Sequence, residues 1–401
     1  MGKSSFFSLV SLDSRHRFAL PARVVGQASP VQPGRPEACR YPLLGQSVFY
    51  PATKMNRWKR WVFVGLAFVV LAGLLVRSIL TEPQWRSFDA QAFLDSLVSI
   101  DKVWALLALL SIYATYVVRA LRWKALMRQM KPEARLWNLF SATVIGFGAI
   151  GIFGRAGEMV RPYLVARKEG VPVSSQMAVW LIERSFDVLT VLVTAAFAMG
   201  SFEAAGLRSN PTLTRILHVS GNIVAFTMLV VLTVMVGLRG FADPIAAWLL
   251  ERLRFLSPAR FAGVERSLLA FVEGSRGLRS LATLAVCALY TMAEWALIAF
   301  CYSAVFHSFG GGIRLGVSDV LILMGSVMAG SLVQIPGIGG GIQVASLLVL
   351  TEVFGVRPEL AASVSLLIWV FTFLVVVPPA VLLVVYEGLS WSKLRKLPSE
   401  N

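Results

Sequence analysis

Charge is scarce in this chain. Asp, Glu, Lys and Arg make up 15% of its 401 residues, where water-soluble domains carry about a quarter. Hydrophobic residues reach 56% and the mean hydropathy is +0.69. A globule with so few charges cannot cover itself with polar surface, so a soluble multidomain protein is excluded and an all-α polytopic membrane protein is expected. Acids are scarcer still, 22 against 38 bases, for a formal net charge of +16. In a membrane chain, basic loops beside anionic headgroups account for that excess, and nucleic acid is not an expected partner. The three cysteines give no disulfide framework, and Cys287 and Cys301 share one apolar segment, where a buried thiol is the rule. The histidines, His16, His218 and His307, do not cluster. There is no HExxH, no CxxC, no Ser-His-Asp set and no Walker sequence, so neither metal, cofactor nor ATP hydrolysis is expected.

The first 54 residues are rich in Ser, Pro, Gly and Arg, with seven basic residues against Asp13 and Glu37. They hold no run of membrane length, and Phe6–Leu12 is too short and too interrupted for a signal peptide. At Met55 the character changes: Met-Asn-Arg-Trp-Lys-Arg-Trp leads into Val62–Leu80. Residues 1–54 therefore read as a disordered basic extension, or as the product of an upstream start codon, before a membrane domain over 55–388 and a short basic tail over 389–401.

Within that domain apolar segments fall at Val62–Leu80, Val103–Val118, Leu139–Phe153, Met177–Ala198, Leu217–Leu238, Leu281–Phe306, Val320–Ile335, Ile342–Phe354 and Ala361–Val385. A crossing takes about 20 apolar residues. Five are long enough, and a sixth is if Val103–Val118 runs on through Leu121. Leu139–Phe153 is short and interrupted by Gly146, Gly148 and Gly151. Val320–Ile335 and Ile342–Phe354 are short and meet at Pro336-Gly337-Ile338-Gly339-Gly340-Gly341, which cannot continue a helix cheaply. Arg119, Arg122, Lys124, Arg128, Lys131 and Arg135 precede Leu139–Phe153, and Arg155, Arg161, Arg167 and Lys168 follow it. By the positive-inside rule both flanks are cytoplasmic, so this segment enters and returns on one side. Arg239–Ser280 and the tail with Lys393, Arg395 and Lys396 are also basic and cytoplasmic, which makes Val320–Phe354 a second dip, from the outside. The expectation is about six spanning helices and two re-entrant hairpins from opposite faces, in an inverted repeat, with both termini cytoplasmic. The plainer alternative is a set of short, tilted or kinked helices.

Several residues in these segments are candidates for chemistry. Gly146-Phe-Gly148-Ala-Ile-Gly151 spells G-x-G-x-x-G, but without a preceding strand it is no nucleotide fingerprint. These glycines serve close backbone approach or a helix opening instead. Arg155, Glu158 and Arg161 are spaced three apart after Gly154 and around Gly157, a face with two forked guanidinium groups suited to a phosphate. An ordinary basic loop touching headgroups is the plain alternative. Glu183, Arg184 and Asp187 lie inside an apolar run, where charge is expensive. Arg184 and Asp187 can pair, leaving Glu183 for Arg155 or Arg161. Glu294 stands without an evident partner, as a functional acid or a hydrogen-bonded structural one. Gln334 and Gln343 flank the Pro-Gly turn, where they could bind substrate or satisfy its backbone.

Gly154-Arg155-Ala156-Gly157-Glu158-x-x-Arg161, then Glu183-Arg184-x-x-Asp187, then Pro336-Gly-Ile-Gly339-Gly340 resemble the lysylphosphatidylglycerol synthase transmembrane-region family, also called flippase-like domain proteins. The resemblance runs from Val62 to Tyr386. Family members often carry an acid shortly after the Gly-Gly turn, where this chain has Gln343. The resemblance implies a prokaryotic inner-membrane protein that moves or accommodates an anionic or polyprenyl-linked lipid. The chain continues only fifteen residues past Tyr386, so the namesake's soluble aminoacyl-transferase domain is not expected, nor is enzyme activity. Two other functions fit the residues: a membrane partner for a separately encoded glycosyl- or aminoacyl-transferase, and a proton- or ion-coupled solute transporter using Asp187 and Glu294. In the leading reading, Arg155 and Arg161 touch a lipid phosphate, Glu158 orients them, and Arg184 and Asp187 pair deeper along the path.

Overall fold

The computed structural model describes residues 88–204, 211–310, 315–331, 334–335 and 339–388. The expected extension over 1–54, the span Val62–Leu80, the tail over 389–401, and Pro336 and Gly337 of the late turn lie outside these residues.

The described chain is helical, apart from one two-residue β-bridge. Its elements are α1 (Ala90–Val98), α2 (Lys102–Met127), α3 (Leu136–Phe153), α4 (Val160–Glu169), α5 (Val173–Ala204), α6 (Pro211–Gly240), α7 (Ala242–Arg252), α8 (Pro258–Ser275), α9 (Leu281–Ser308), α10 (Val317–Gly330), β1 (Gln334–Ile335), β2 (Gly339–Gly340), α11 (Gly341–Leu348), α12 (Pro358–Trp369) and α13 (Val377–Tyr386). Asp101 caps α2 by accepting from the amides of Val103 and Trp104, and Ser280 caps α9 through the amide of Thr283. Five stretches of described residues are long and apolar enough to cross a membrane: Lys102–Met127, Leu136–Glu169, Asn222–Gly240, Leu281–Ser308 and Pro358–Tyr386. This is a multi-pass membrane protein. α5 has 32 residues, ample length, but Glu183, Arg184 and Asp187 in its first half set its composition apart.

α2 and α9 form the centre. They run antiparallel over their whole lengths, with Trp104 stacked on His307 at one end, Ala108 and Ile112 packed with Val305 and Cys301 further on, and Arg122 bonded to Thr291 towards the other. Leu136–Glu169 is not a straight rod. It turns back at Gly154, whose φ of 63° lies in the region that favours glycine. The turn continues as a 3₁₀ segment, Gly154–Met159, before α4 returns along α3. A Cβ on Gly157 would collide with the backbone of Ala149, and one on Gly146 with the Arg161 Cβ, so these glycines let the arms touch. The return is complete. Glu169 at the end of α4 accepts from the Arg135 amide at 3.2 Å and from Asn138 Nδ2 at 2.8 Å, where α3 begins.

α10 and α11 form a second helical hairpin. Gln334 pairs with Gly340 and Ile335 with Gly339 at its tip, and Gly330 lies against the Gly341 carbonyl and the Ala345 Cβ. Because α3 follows the end of α2, and α10 follows the opposite end of the antiparallel pair, the hairpins approach from opposite ends. Three further sets of helix contacts come in matched pairs. α3 packs on α13, while α10 packs on α5. α4 packs on α5, while α11 packs on α12. α1 packs on α12, while α8 packs on α5.

Two apolar clusters surround this centre. One joins Ile112 and Tyr116 to Val305, Leu323, Val364 and Ile368, and the other joins Trp123 and Leu126 to Leu139, Leu164, Ile182 and Cys287. Arg119 and Arg122 sit where the clusters meet along α2. One expectation is corrected here. These two arginines are not in the loop before α3, because α2 stays helical to Met127, two turns past the end of the apolar run.

Candidate functional site

Arg122 is fully buried and is the hub of a charged layer. Its Nη1 donates to Asp187 Oδ1 at 2.8 Å and to Thr291 Oγ1 at 2.9 Å. Its Nη2 reaches Glu183 Oε1 at 2.5 Å and Glu294 Oε2 at 3.2 Å. Arg119 Nη2 meets Glu294 Oε1 at 2.6 Å, and Arg161 Nη1 meets Glu183 Oε1 at 2.9 Å. Arg184 closes the set on Asp187 Oδ2 at 3.1 Å. The helices thus contribute one to three charges each: α2 two arginines, α4 Arg161, α5 Glu183, Arg184 and Asp187, α9 Glu294. A buried carboxylate or guanidinium without a partner costs several kcal/mol, which is why all seven interlock. Aromatic rings close the edges, with Arg119 at 4.4 Å over Phe147 and Arg161 at 4.1 Å over Trp123, whose Nε1 donates to Gln176 at 2.9 Å.

Four guanidinium groups face three carboxylates, so the layer carries one positive charge in excess. Arg161 Nε and Arg184 Nε are buried and make no hydrogen bond among the described residues. Both arginines line a small cleft with Glu158, Trp180, Phe147, Ile150 and Gly146. Beyond it, at the turn of the first hairpin, Arg155 pairs with Glu158 at 2.7 Å. Arg155 Nη2 also donates to the Ser331 carbonyl at 2.9 Å, so the first hairpin's turn touches the end of the second hairpin's first arm.

The sequence placed several of these correctly. Arg184 pairs with Asp187, Glu183 reaches Arg161, and Glu158 holds Arg155. Gln343 Oε1 accepts from the Gly340 amide at 2.7 Å, satisfying turn backbone. Gly148 and Gly151 allow close approach to Ala380 and Val377 of α13. Two placements are corrected. Arg155, Glu158 and Arg161 do not share one helical face, because Arg155 and Glu158 lie in the 3₁₀ turn and Arg161 in α4: the Arg155 side chain is 46% exposed and that of Arg161 5%. Glu294 is not unpaired, since both its oxygens meet arginines of α2. Arg119 and Arg122 were missed as site residues. Their signal was phase: Ala108, Ile112, Thr115, Arg119, Arg122 and Leu126 continue one face of α2 at steps of three and four.

The family described as lysylphosphatidylglycerol synthase TM region matches residues 62–380. The chain is also 25% identical over 138 residues to glycosyltransferase AglD of Haloferax volcanii, which covers 34% of this chain and 22% of that protein. This chain therefore matches about a fifth of that relative's length. No solved structure matches.

Proposed function

The chain belongs to the lysylphosphatidylglycerol synthase TM-region family, and on that premise we propose that it moves a lipid between leaflets, along a path where two re-entrant hairpins meet. The observation that carries this reading is the contact of Arg155 with Ser331. A turn of backbone at membrane depth persists only where protein or a wet cavity satisfies it, and here Arg155 of the first hairpin satisfies a carbonyl of the second. The matched helix contacts support an inverted repeat, with α1–α5 and α8–α13 as its halves and α2 against α9 on the pseudo-twofold axis. In transporters of that design the substrate sits at the interface of the repeats.

A phosphate-bearing headgroup fits the chemistry of the cleft. The layer beneath it has one unbalanced positive charge, and arginine presents a fork that matches phosphate oxygens. Arg155, exposed at the turn, meets the headgroup first; Arg161 and Arg184 line its passage; Glu158 holds Arg155 until the headgroup displaces it. The buried layer of Arg122, Glu183, Asp187 and Glu294 acts as a rigid floor, not as a proton path. In this reading the chain performs no covalent chemistry, sits in a prokaryotic inner membrane, and keeps its Arg-rich loops and both termini cytoplasmic.

The similarity to a glycosyltransferase favours a second reading, in which the chain accommodates a lipid for a separately encoded transferase. Reconstitution of the pure protein into liposomes separates the two. Leaflet exchange of a labelled phospholipid supports translocation. Absence of exchange, together with copurification of a transferase from native membranes, supports the partner role.

A further inference from the structure

α7 has eleven residues and rises about 16 Å, roughly half a membrane core. It begins directly after the stretch Asn222–Gly240, whose Phe226, Leu229, Val230 and Val236 are exposed as lipid-facing residues are. Its surface has three faces. Ala242 and Ala246 are buried against Val272 and Leu268 of α8. Asp243, Glu251 and Arg254 form an exposed polar face. The third face is apolar and open: Phe241, Ile245, Trp248 and, just beyond the helix, Phe255 are 58%, 53%, 57% and 80% exposed. Steps of four and three keep Phe241, Ile245 and Trp248 on one side, and Phe255 follows in the turn after the helix. Arg252 lies 5.6 Å over the Trp248 ring, so a cation sits beside this strip. The segment Arg239–Ser280 holds seven arginines against four acids.

We propose that α7 lies in the plane of the membrane, in the leaflet where α6 ends, and that this surface binds anionic phospholipid. Phe241, Ile245, Trp248 and Phe255 enter the acyl boundary, while Arg252, Arg254 and Arg260 reach headgroup phosphates. Two observations select a lipid surface over a protein. The strip follows within five residues on the exposed apolar residues of α6, and its aromatic and arginine side chains are those that settle at a membrane interface. The hairpin of α7 and α8 is also packed against the helices that carry the charged layer. Gly274 packs against the Ser175 carbonyl at the start of α5, Gly277 packs against the Leu126 carbonyl at the end of α2, and Arg279 pairs with Asp243. The depth of α7 therefore sets the height of Arg122 and Glu183 relative to that leaflet.

The test uses the full chain in nanodiscs, with Cys39, Cys287 and Cys301 replaced. A nitroxide is placed through Ile245→Cys, Trp248→Cys or, as the polar-face control, Glu251→Cys. At Ile245 and Trp248, collisions with oxygen should dominate over those with a water-soluble nickel complex, and at Glu251 the order should reverse. Adding phosphatidylglycerol to phosphatidylcholine discs should move the Ile245 label deeper, and Arg252→Gln with Arg254→Gln should remove that shift. A nickel-accessible Ile245 label would place the strip in water. A label shielded from both reagents would mean that a second copy or a protein partner covers it. Either result overturns the proposal, as does a depth indifferent to lipid charge. A second measurement retains the native cysteines: shallow brominated lipids should quench the protein's fluorescence less in Trp248→Phe than in the unaltered chain. Equal quenching counts against the proposal.

Discussion

Arg155 and Ser331 stand 176 positions apart, yet the Arg155 Nη2 donates to the Ser331 carbonyl at 2.9 Å and joins the two hairpins. The Arg155 side chain is 46% exposed and its ionic partner, Glu158, is a local one. Exposed pairs of this kind contribute little to stability. Arg155→Gln should therefore unfold within about 1 kcal/mol of the unaltered chain, by thermal denaturation in detergent. A much larger loss would make Arg155 a structural residue.

Arg122 has the opposite character. It is fully buried against Glu183, Asp187 and Glu294. Arg122→Met leaves three carboxylates without their hub and should cost about 3–5 kcal/mol, the range for breaking a buried pair by removing one partner. Arg122→Lys keeps the charge and loses the fork, so its melting temperature should fall between the two. An unchanged melting temperature for Arg122→Met would contradict the network.

Gly148 tests the packing of the first hairpin on α13. A Cβ at this position would collide with the Cβ of Ala380. Gly148→Ala should destabilise by about 1–3 kcal/mol, the usual cost of overpacking. Adding Ala380→Gly should restore most of that loss. Additive destabilisation by the two changes would show that these backbones do not meet.

Lys168 ties the returning end of α4 to the end of α13, with its Nζ 2.6 Å from Glu387 and 2.7 Å from Ser141 Oγ. The pair is largely screened from solvent, at 14% and 16% side-chain exposure. A double-mutant cycle of Lys168→Met and Glu387→Gln should give a coupling of about 1 kcal/mol or more, measured by thermal unfolding. Zero coupling would make it an ordinary surface pair.

Hydropathy and glycine positions made much of this architecture legible. The short apolar segments around Gly146–Gly151 and before Pro336 read as broken elements, and the structure folds both into helical hairpins. Pairs within a few residues, such as Arg184 with Asp187, followed from helical spacing. Arg119 and Arg122 were misplaced because hydropathy alone does not separate a charge that ends a helix from one that continues its buried face; only the phase of α2 does. Their partner Glu294 lies on α9, and no local pattern reports a contact across that distance. The meeting of Arg155 with Ser331 was hidden for the same reason. The backbone carbonyl it uses leaves no mark on side-chain chemistry.

Leaflet exchange in proteoliposomes tests the central claim most directly. Dithionite bleaches headgroup-labelled phosphatidylglycerol in the outer leaflet and reaches the inner pool only if protein brings that lipid out. The unaltered chain should expose the inner pool, Arg155→Gln should fall to the level of protein-free liposomes at equal folded yield, and Arg155→Lys should recover part of the rate. Native-rate exchange by Arg155→Gln, or no exchange by the unaltered chain, would contradict a lipid path between the hairpin tips.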